Sequence, residues 1–262
     1  MYDYHIHSTF SDGQDCPEKI ILEAISKGFS EIGFSDHSRV SFDPFGGVEY
    51  DRFEDYKNTI DQLKQKYAGI ITVYCGLEQD YFSPAPIGCP DYLIGSMHYI
   101  SEKGEFFSVD DTPGIVSDAV NRLYDGDAYA YAEAYFTQME TLLSKTNADI
   151  IGHFDLLTRF EQELHLFDPT HPRYRAAWKK AADALLPSGK PFEINTRGLT
   201  KQYKSEPYPS LEILQYIASH GGEFVLSSDS HKKEEIGSCF DKYQNMFPDC
   251  LIQPSCFKNG FR

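Results

Sequence analysis

Apolar residues in this chain come in short runs separated by longer stretches with helical spacing. The runs fall at 2–7, 31–36, 71–78, 91–97, 149–154, 191–195 and 223–228. Between them, 17–28 opens on Pro17 and closes on Gly28, which are helix boundary signals. Residues 51–67 carry Phe53, Tyr56, Ile60, Leu63 and Tyr67 at helical spacing. Further helices are expected over 128–145, 172–187 and 209–220. This alternation predicts a parallel α/β fold, and seven strands fit a closed TIM-like (βα) barrel better than an open sheet. The stretch 99–148 is longer than one crossover needs, so it is expected to hold a lid or helical insertion over the mouth. Nothing divides residues 1–262 into more than one domain.

The polar residues at the ends of these runs have their own pattern. His5 and His7 share one face of the first strand, because side chains two apart on a strand point the same way. Asp12 follows in the next loop. His37 follows the second run, Glu78 ends the third, His98 follows the fourth, His153 lies in the fifth, and Asp229 and His231 follow the seventh. A barrel gathers its C-terminal strand ends at one mouth, whereas an open sheet would spread them. Nine potential ligands there predict a multinuclear metal site. Imidazole with carboxylate suits zinc, manganese or iron. A bridging carboxylate such as Glu78 can hold two ions ~3.5–4 Å apart, and water on such ions ionises near pH ~7. A lone histidine among apolar residues is more often a core side chain, but six in matching contexts are not lone. Asp12 also suits the turn Ser-Asp-Gly. His165, His171 and His220 match no run and are expected in surface or capping roles.

Charge narrows the partners. The chain has a formal charge of −16 and no Lys/Arg cluster beyond Lys179-Lys180 and Lys232-Lys233. Proteins that grip nucleic-acid backbones carry a basic footprint, so none is expected as partner. Three divalent ions would still leave the protein at about −10. A small substrate carrying both an anion and positive charge fits better. The six cysteines form no CxxC pair and are expected as free thiols. No basic and apolar leader is visible, and no apolar run approaches the ~20 residues of a membrane span. A cytoplasmic location is expected.

The HxH at 5–7, "GFSDH" at 33–37, Glu78, "GSMH" at 95–98, "GHFD" at 152–155 and "SSDSH" at 227–231 resemble, in that order, the polymerase and histidinol phosphatase (PHP) family. The resemblance implies a distorted seven-stranded barrel with a trinuclear metal centre. It groups His5, His7, Glu78 and Asp229 at one ion, Glu78, His98 and His153 at a second, and Asp12, His37 and His231 at a third. Some relatives have histidine where Asp12 stands, and an oxygen ligand there shifts preference towards manganese or iron. Length and the "IGSMHY" segment look like the monofunctional phosphatases of the family, which hydrolyse L-histidinol phosphate in histidine biosynthesis. The implied chemistry is attack of a metal-bridging hydroxide, with Glu78, Asp229 and His231 as catalytic residues.

Phosphate needs cations beyond metals. Arg159, six residues after His153, and Arg197, two after Asn195, fall in loops on the active face, where the resemblance also places phosphate-binding arginines. Arginine suits bidentate phosphate recognition. Arg39, two after His37, is a third candidate. For the cationic part of a substrate, Glu105, Asp110, Glu161 and Glu163 are candidates, with Tyr99 and Phe160 as pocket walls. Asp36 and Asp155 read as ligand supports or helix caps. Two alternatives remain open at this point: a nucleotide phosphatase or nuclease on the same centre, and a noncatalytic module that stabilises a partner protein.

Overall fold

A computed structural model describes residues 1–43, 47–48, 52–86 and 88–252. Asp51, at the start of one expected helix, and Cys256 lie outside the described residues. The chain opens with β1 (Tyr2–Asp3), α1 (Pro17–Ser26), β2 (Glu31–Phe34), α2 (Phe53–Lys66), β3 (Thr72–Asp80) and β4 (Tyr92–Ser96). A hairpin of β5 (Tyr99–Glu102) and β6 (Glu105–Ser108) follows, then α3 (Pro113–Leu123), α4 (Ala128–Met139) and α5 (Leu142–Thr146). The remainder is β7 (Ile150–Ile151), α6 (Glu161–Leu164), α7 (Pro172–Leu185), β8 (Phe192–Asn195), α8 (Arg197–Thr200), α9 (Leu211–Ser219), β9 (Phe224–Ser227) and α10 (Phe240–Tyr243).

All seven expected strands form, in one parallel sheet of order β1-β2-β3-β4-β7-β8-β9. The sheet curls into a nearly closed barrel. At the mouth, the Ile6–Ser230 bridge joins first and last strands, with His7 N–H donating to the Ser230 carbonyl at 2.9 Å. At the opposite end Leu251 pairs with Phe224. Between these two closures the Asp3 carboxylate accepts from the backbone N–H groups of His5, Ser228 and Gly237 and from the Ser228 hydroxyl. Burial pushes the Asp3 carboxyl up to about 6, against those donors.

Strand parity separates an outer core from a barrel interior. Val73, Cys75 and Leu77 of β3 and Phe192 and Ile194 of β8 join the large core. Their neighbours Glu78, Asp80, Glu193 and Asn195 take the opposite parity and face inward. Beneath them a small cluster of Tyr4, Tyr92, Ile94, Ile150 and Val225, with Tyr74 packed against it, plugs the barrel. Gly33 and Gly76 make room for it, since a Cβ at either would collide with the Tyr92 ring. The expected helix over 128–145 is two helices. Thr141 N–H turns back to the Gln138 carbonyl three residues earlier, and its hydroxyl bonds the same carbonyl, which breaks the register there.

Candidate metal centre

The barrel mouth brings all nine expected ligands together. Their nitrogen and oxygen atoms fall into four overlapping groups, each with atoms within 4.8 Å of one another. These are His7, Asp12, His37 and His231; His5, His7 and Asp229; His5, Glu78 and His153; and His37, Glu78 and His98. Glu78 stands at the centre. Its Oε1 faces His153 Nε2 at 2.8 Å and His98 Nε2 at 3.3 Å. Its Oε2 faces His37 Nδ1 at 2.7 Å, His5 Nε2 at 3.3 Å and His7 Nε2 at 3.5 Å. One carboxylate thus serves two sets of imidazoles through different oxygens, which is what a bridging ligand must do. Asp229 Oδ1 lies 3.3 Å from His7 Nε2 and 3.8 Å from His5 Nε2. Its backbone is left-handed, with φ +50°, a conformation costly for a residue with a side chain. Asp12 reaches in from its loop to His231 Nε2 at 2.8 Å and His37 Nε2 at 3.6 Å.

The residues fit metal ions on their own evidence. His5 Nε2 and both ring nitrogens of His7 are buried without any hydrogen-bond partner. Buried polar atoms left unpaired are costly, and metal ions at this mouth would satisfy such atoms. Electrostatics agrees. Burial opposes charge on His5, yet Glu193, Asp229 and Glu78 raise it well above the ordinary range. His37 rises to about 9, because Glu78 and Asp12 outweigh its burial. Burial would raise Glu78, but His37, His5 and His98 hold it well below the usual carboxylate range. Burial, His231 and His37 push His7 well below its ordinary value. The carboxylates around His5 and His37 thus favour positive charge there, the charge that a metal ion would supply.

Several supports were not expected from the sequence. Glu193 is buried, with Oε1 2.5 Å from His5 Nδ1 and accepting from the Ser227 hydroxyl; Oε2 accepts from His153 N–H at 2.8 Å and Asn195 Nδ2 at 3.0 Å. It fixes which His5 nitrogen faces the metal site. Asp80 does the same for His98, at 3.2 Å from Nδ1. Both stand two residues from another inward polar residue on a strand, Asn195 and Glu78, and that spacing was the available signal. Asp36 bonds the loop that carries Asp12. It accepts from Ser8 and Ser11, backbone and hydroxyl alike, and so holds the turn that presents Asp12. Asp155 accepts from Ser210 N–H at 3.0 Å, at the start of α9.

The arginines divide. Arg197 Nη1 lies 2.6 Å from the Asp229 carbonyl and 2.6 Å from His231 Nδ1. Arg159 pairs with Asp110 at 3.1 Å and lies over the Tyr203 ring at 4.7 Å. Arg39 lines a neighbouring pocket with Val48, Phe53 and Leu77. A cleft of about 200 Å³ opens over the expected ligands Asp12, His37 and His98, walled by residues that include Tyr99, Asp110 and Asp111. Glu105 is exposed and taken by Arg122 at 2.7 Å, and Glu161 accepts from Phe167 N–H at 3.0 Å. His165, His171 and His220 sit at helix ends, outside the ligand groups found among the described residues. The described cysteines 16, 75, 89, 239 and 250 are free.

Residues 3–197 match the PHP domain. The chain belongs to the PHP family. A Deinococcus radiodurans protein named "probable histidinol-phosphatase" is 28% identical over 92% of this chain and 90% of its own length. The Bacillus subtilis histidinol-phosphatase is 23% identical over 92% of this chain and 97% of its own. A solved histidinol phosphate phosphatase from Lactococcus lactis, complexed with zinc, L-histidinol and phosphate, superposes with a TM-score of 0.71 at 22% identity. That match covers 95% of this chain and 93% of the other, and shows the shared barrel. PHP membership and the buried ligand groups together mark a metal-dependent phosphoesterase. Among the described residues no helix is long and apolar enough to cross a membrane.

Proposed function

We propose that this PHP protein is a phosphomonoesterase that hydrolyses L-histidinol phosphate to L-histidinol and phosphate, using three metal ions. The observation that carries the chemistry is Glu78, whose two oxygens divide five imidazoles between them. The substrate assignment is supported by relatives of similar length that carry the histidinol-phosphatase name. His5, His7, Glu78 and Asp229 would hold one ion, Glu78, His98 and His153 a second, and Asp12, His37 and His231 a third. Ions there would supply an ionised water near neutral pH and would neutralise charge on the phosphoryl oxygens.

The chain's own residues do the rest. Glu193 and Asp80 orient the rings of His5 and His98, so little is reorganised as substrate arrives. Arg197 stands beside Asp229 and His231, and Arg159 stands across the Tyr203 ring; both serve the phosphoryl group. His231 links these roles. If its Nε2 ligates, Nδ1 must carry the proton and cannot accept from Arg197. Nδ1–H can instead donate to the Asp229 carbonyl, 3.2 Å away, which frees Arg197 from His231 although its Nη1 still donates to that carbonyl. The acidic wall of Asp110 and Asp111 suits the ammonium and imidazole of the leaving group better than a nucleic-acid backbone.

The test is kcat/KM for L-histidinol phosphate beside a panel of phosphomonoesters, with metals quantified in the same sample. A strong preference for L-histidinol phosphate with about three ions bound is expected. Bound metals with another preferred ester would sink the substrate while keeping the chemistry.

A further inference from the structure

Three segments leave the barrel directly after metal-ligand strands, and they meet again outside it. The loop after His37 carries Phe42, the turn after β3 carries Phe82, and the hairpin after His98 carries Tyr99 and Phe106. Phe42 stacks on Phe106 with ring centroids 4.1 Å apart and 14° between planes. Phe42 meets Tyr99 edge-on at 5.0 Å, and Phe82 meets Phe106 edge-on at 5.1 Å. The Tyr99 hydroxyl donates to Asp43 on the same loop as Phe42.

The placement is unusual for apolar rings. Phe42 is 37% exposed and Phe106 46%, so neither belongs to the buried core. Such contacts between solvent-facing loops add little to folding. What they do join is the two walls of the cleft. Ser38, Val40 and Gly47 line one side and Tyr99, Ser108, Asp110 and Asp111 the other, with Asp12, His37, Asp80 and His98 between them. A tie across these walls fixes how far apart they stand.

We propose that Phe42, Phe82, Tyr99 and Phe106 form a clasp that sets the width of the leaving-group cleft and so limits this centre to compact phosphomonoesters. The inference rests on the phosphomonoesterase reading, but it concerns leaving-group size, not the identity of the preferred ester. Phe42 and Phe106 act through the walls and are positioning residues.

The test uses the metal-loaded protein and four esters of growing leaving group: phosphoethanolamine, L-histidinol phosphate, 1-naphthyl phosphate and adenosine monophosphate. Wild-type kcat/KM should fall steeply for the two largest. Phe42→Ala and Phe106→Ala should raise the nucleotide relative to phosphoethanolamine by about tenfold, a shift typical of pocket contacts. Phe106→Tyr, which keeps the ring, should restore the wild-type profile. Alanine variants that scale all four esters alike, or change none, would overturn the clasp. So would loss of fold or metal in both variants, because that would make the rings core. A wild-type optimum at an ester other than L-histidinol phosphate would sink the substrate assignment alone, and the size profile would still decide the clasp.

Discussion

The inner and outer parts of the metal centre are built by different means. Inside the barrel, the His5 and Glu78 side chains are 0% exposed, and the His5 and His98 rings are held by the strand residues Glu193 and Asp80. At the rim, the Asp12 side chain is 41% exposed and His37 23%, and Asp12 hangs on a turn pinned by Asp36. The inner part is rigid because its supports are themselves part of the sheet. The rim depends on a loop that local hydrogen bonds must hold. If the proposed three ions occupy these groups, the difference predicts that those inside are bound tightly and exchange slowly, while the one at the rim leaves first.

The largest effect should come from Glu78→Gln. It weakens both inner groups at once, so metal content should collapse and kcat/KM should fall by on the order of a thousandfold. Elemental analysis with steady-state kinetics would read both. Next is Glu193→Gln, which touches no ion in the proposed ligand sets but removes the charge that orients His5. Metal affinity or activity should drop roughly 10–100-fold. An unchanged variant would show that the inner part does not need its support. Asp12→Asn should be milder, about tenfold in activity, because an amide oxygen still ligates weakly. It should cost rim metal and spare the inner ions, as competition with a graded chelator would show.

The smallest effect is a pH dependence at His37. Its value of about 9 is raised from 6.5. A raised folded value stabilises the metal-free protein below 6.5, and that contribution is lost as pH rises through about 9. Metal competes with the same proton. Its apparent affinity should therefore rise between pH 7 and 9, with protons released on binding. Calorimetric titration in two buffers of different ionisation heat would count them. Affinity falling over that range would contradict the assignment.

That nine candidate ligands would gather was legible because all but Asp12 lie at or just after an apolar run, and the barrel places such ends together. All seven strands and the barrel were legible for the same reason. The supports were less so. Glu193 interrupts the apolar "FEIN" and reads as a strand defect until its inward parity with Asn195 is used. Asp3 bonds Ser228 across the barrel seam, 225 positions away, which no local pattern carries. The hairpin over 99–108 was missed within a stretch expected to be helical or lid-like. Its turn places Lys103 and Gly104 at φ +50° and +83°, and lysine is not the usual signal for that geometry. Position alone does not decide Arg39, which follows His37 by two residues and lines a pocket with Val48, Phe53 and Leu77 beside the cleft.

The most direct test of the two-part centre is an anomalous-scattering map from crystals of the metal-loaded protein, before and after brief chelation. The account predicts ions flanking Glu78 and a third by Asp12, His37 and His231, with only the third lost on chelation. Ions placed away from Glu78, or inner ions lost before the rim ion, would contradict it.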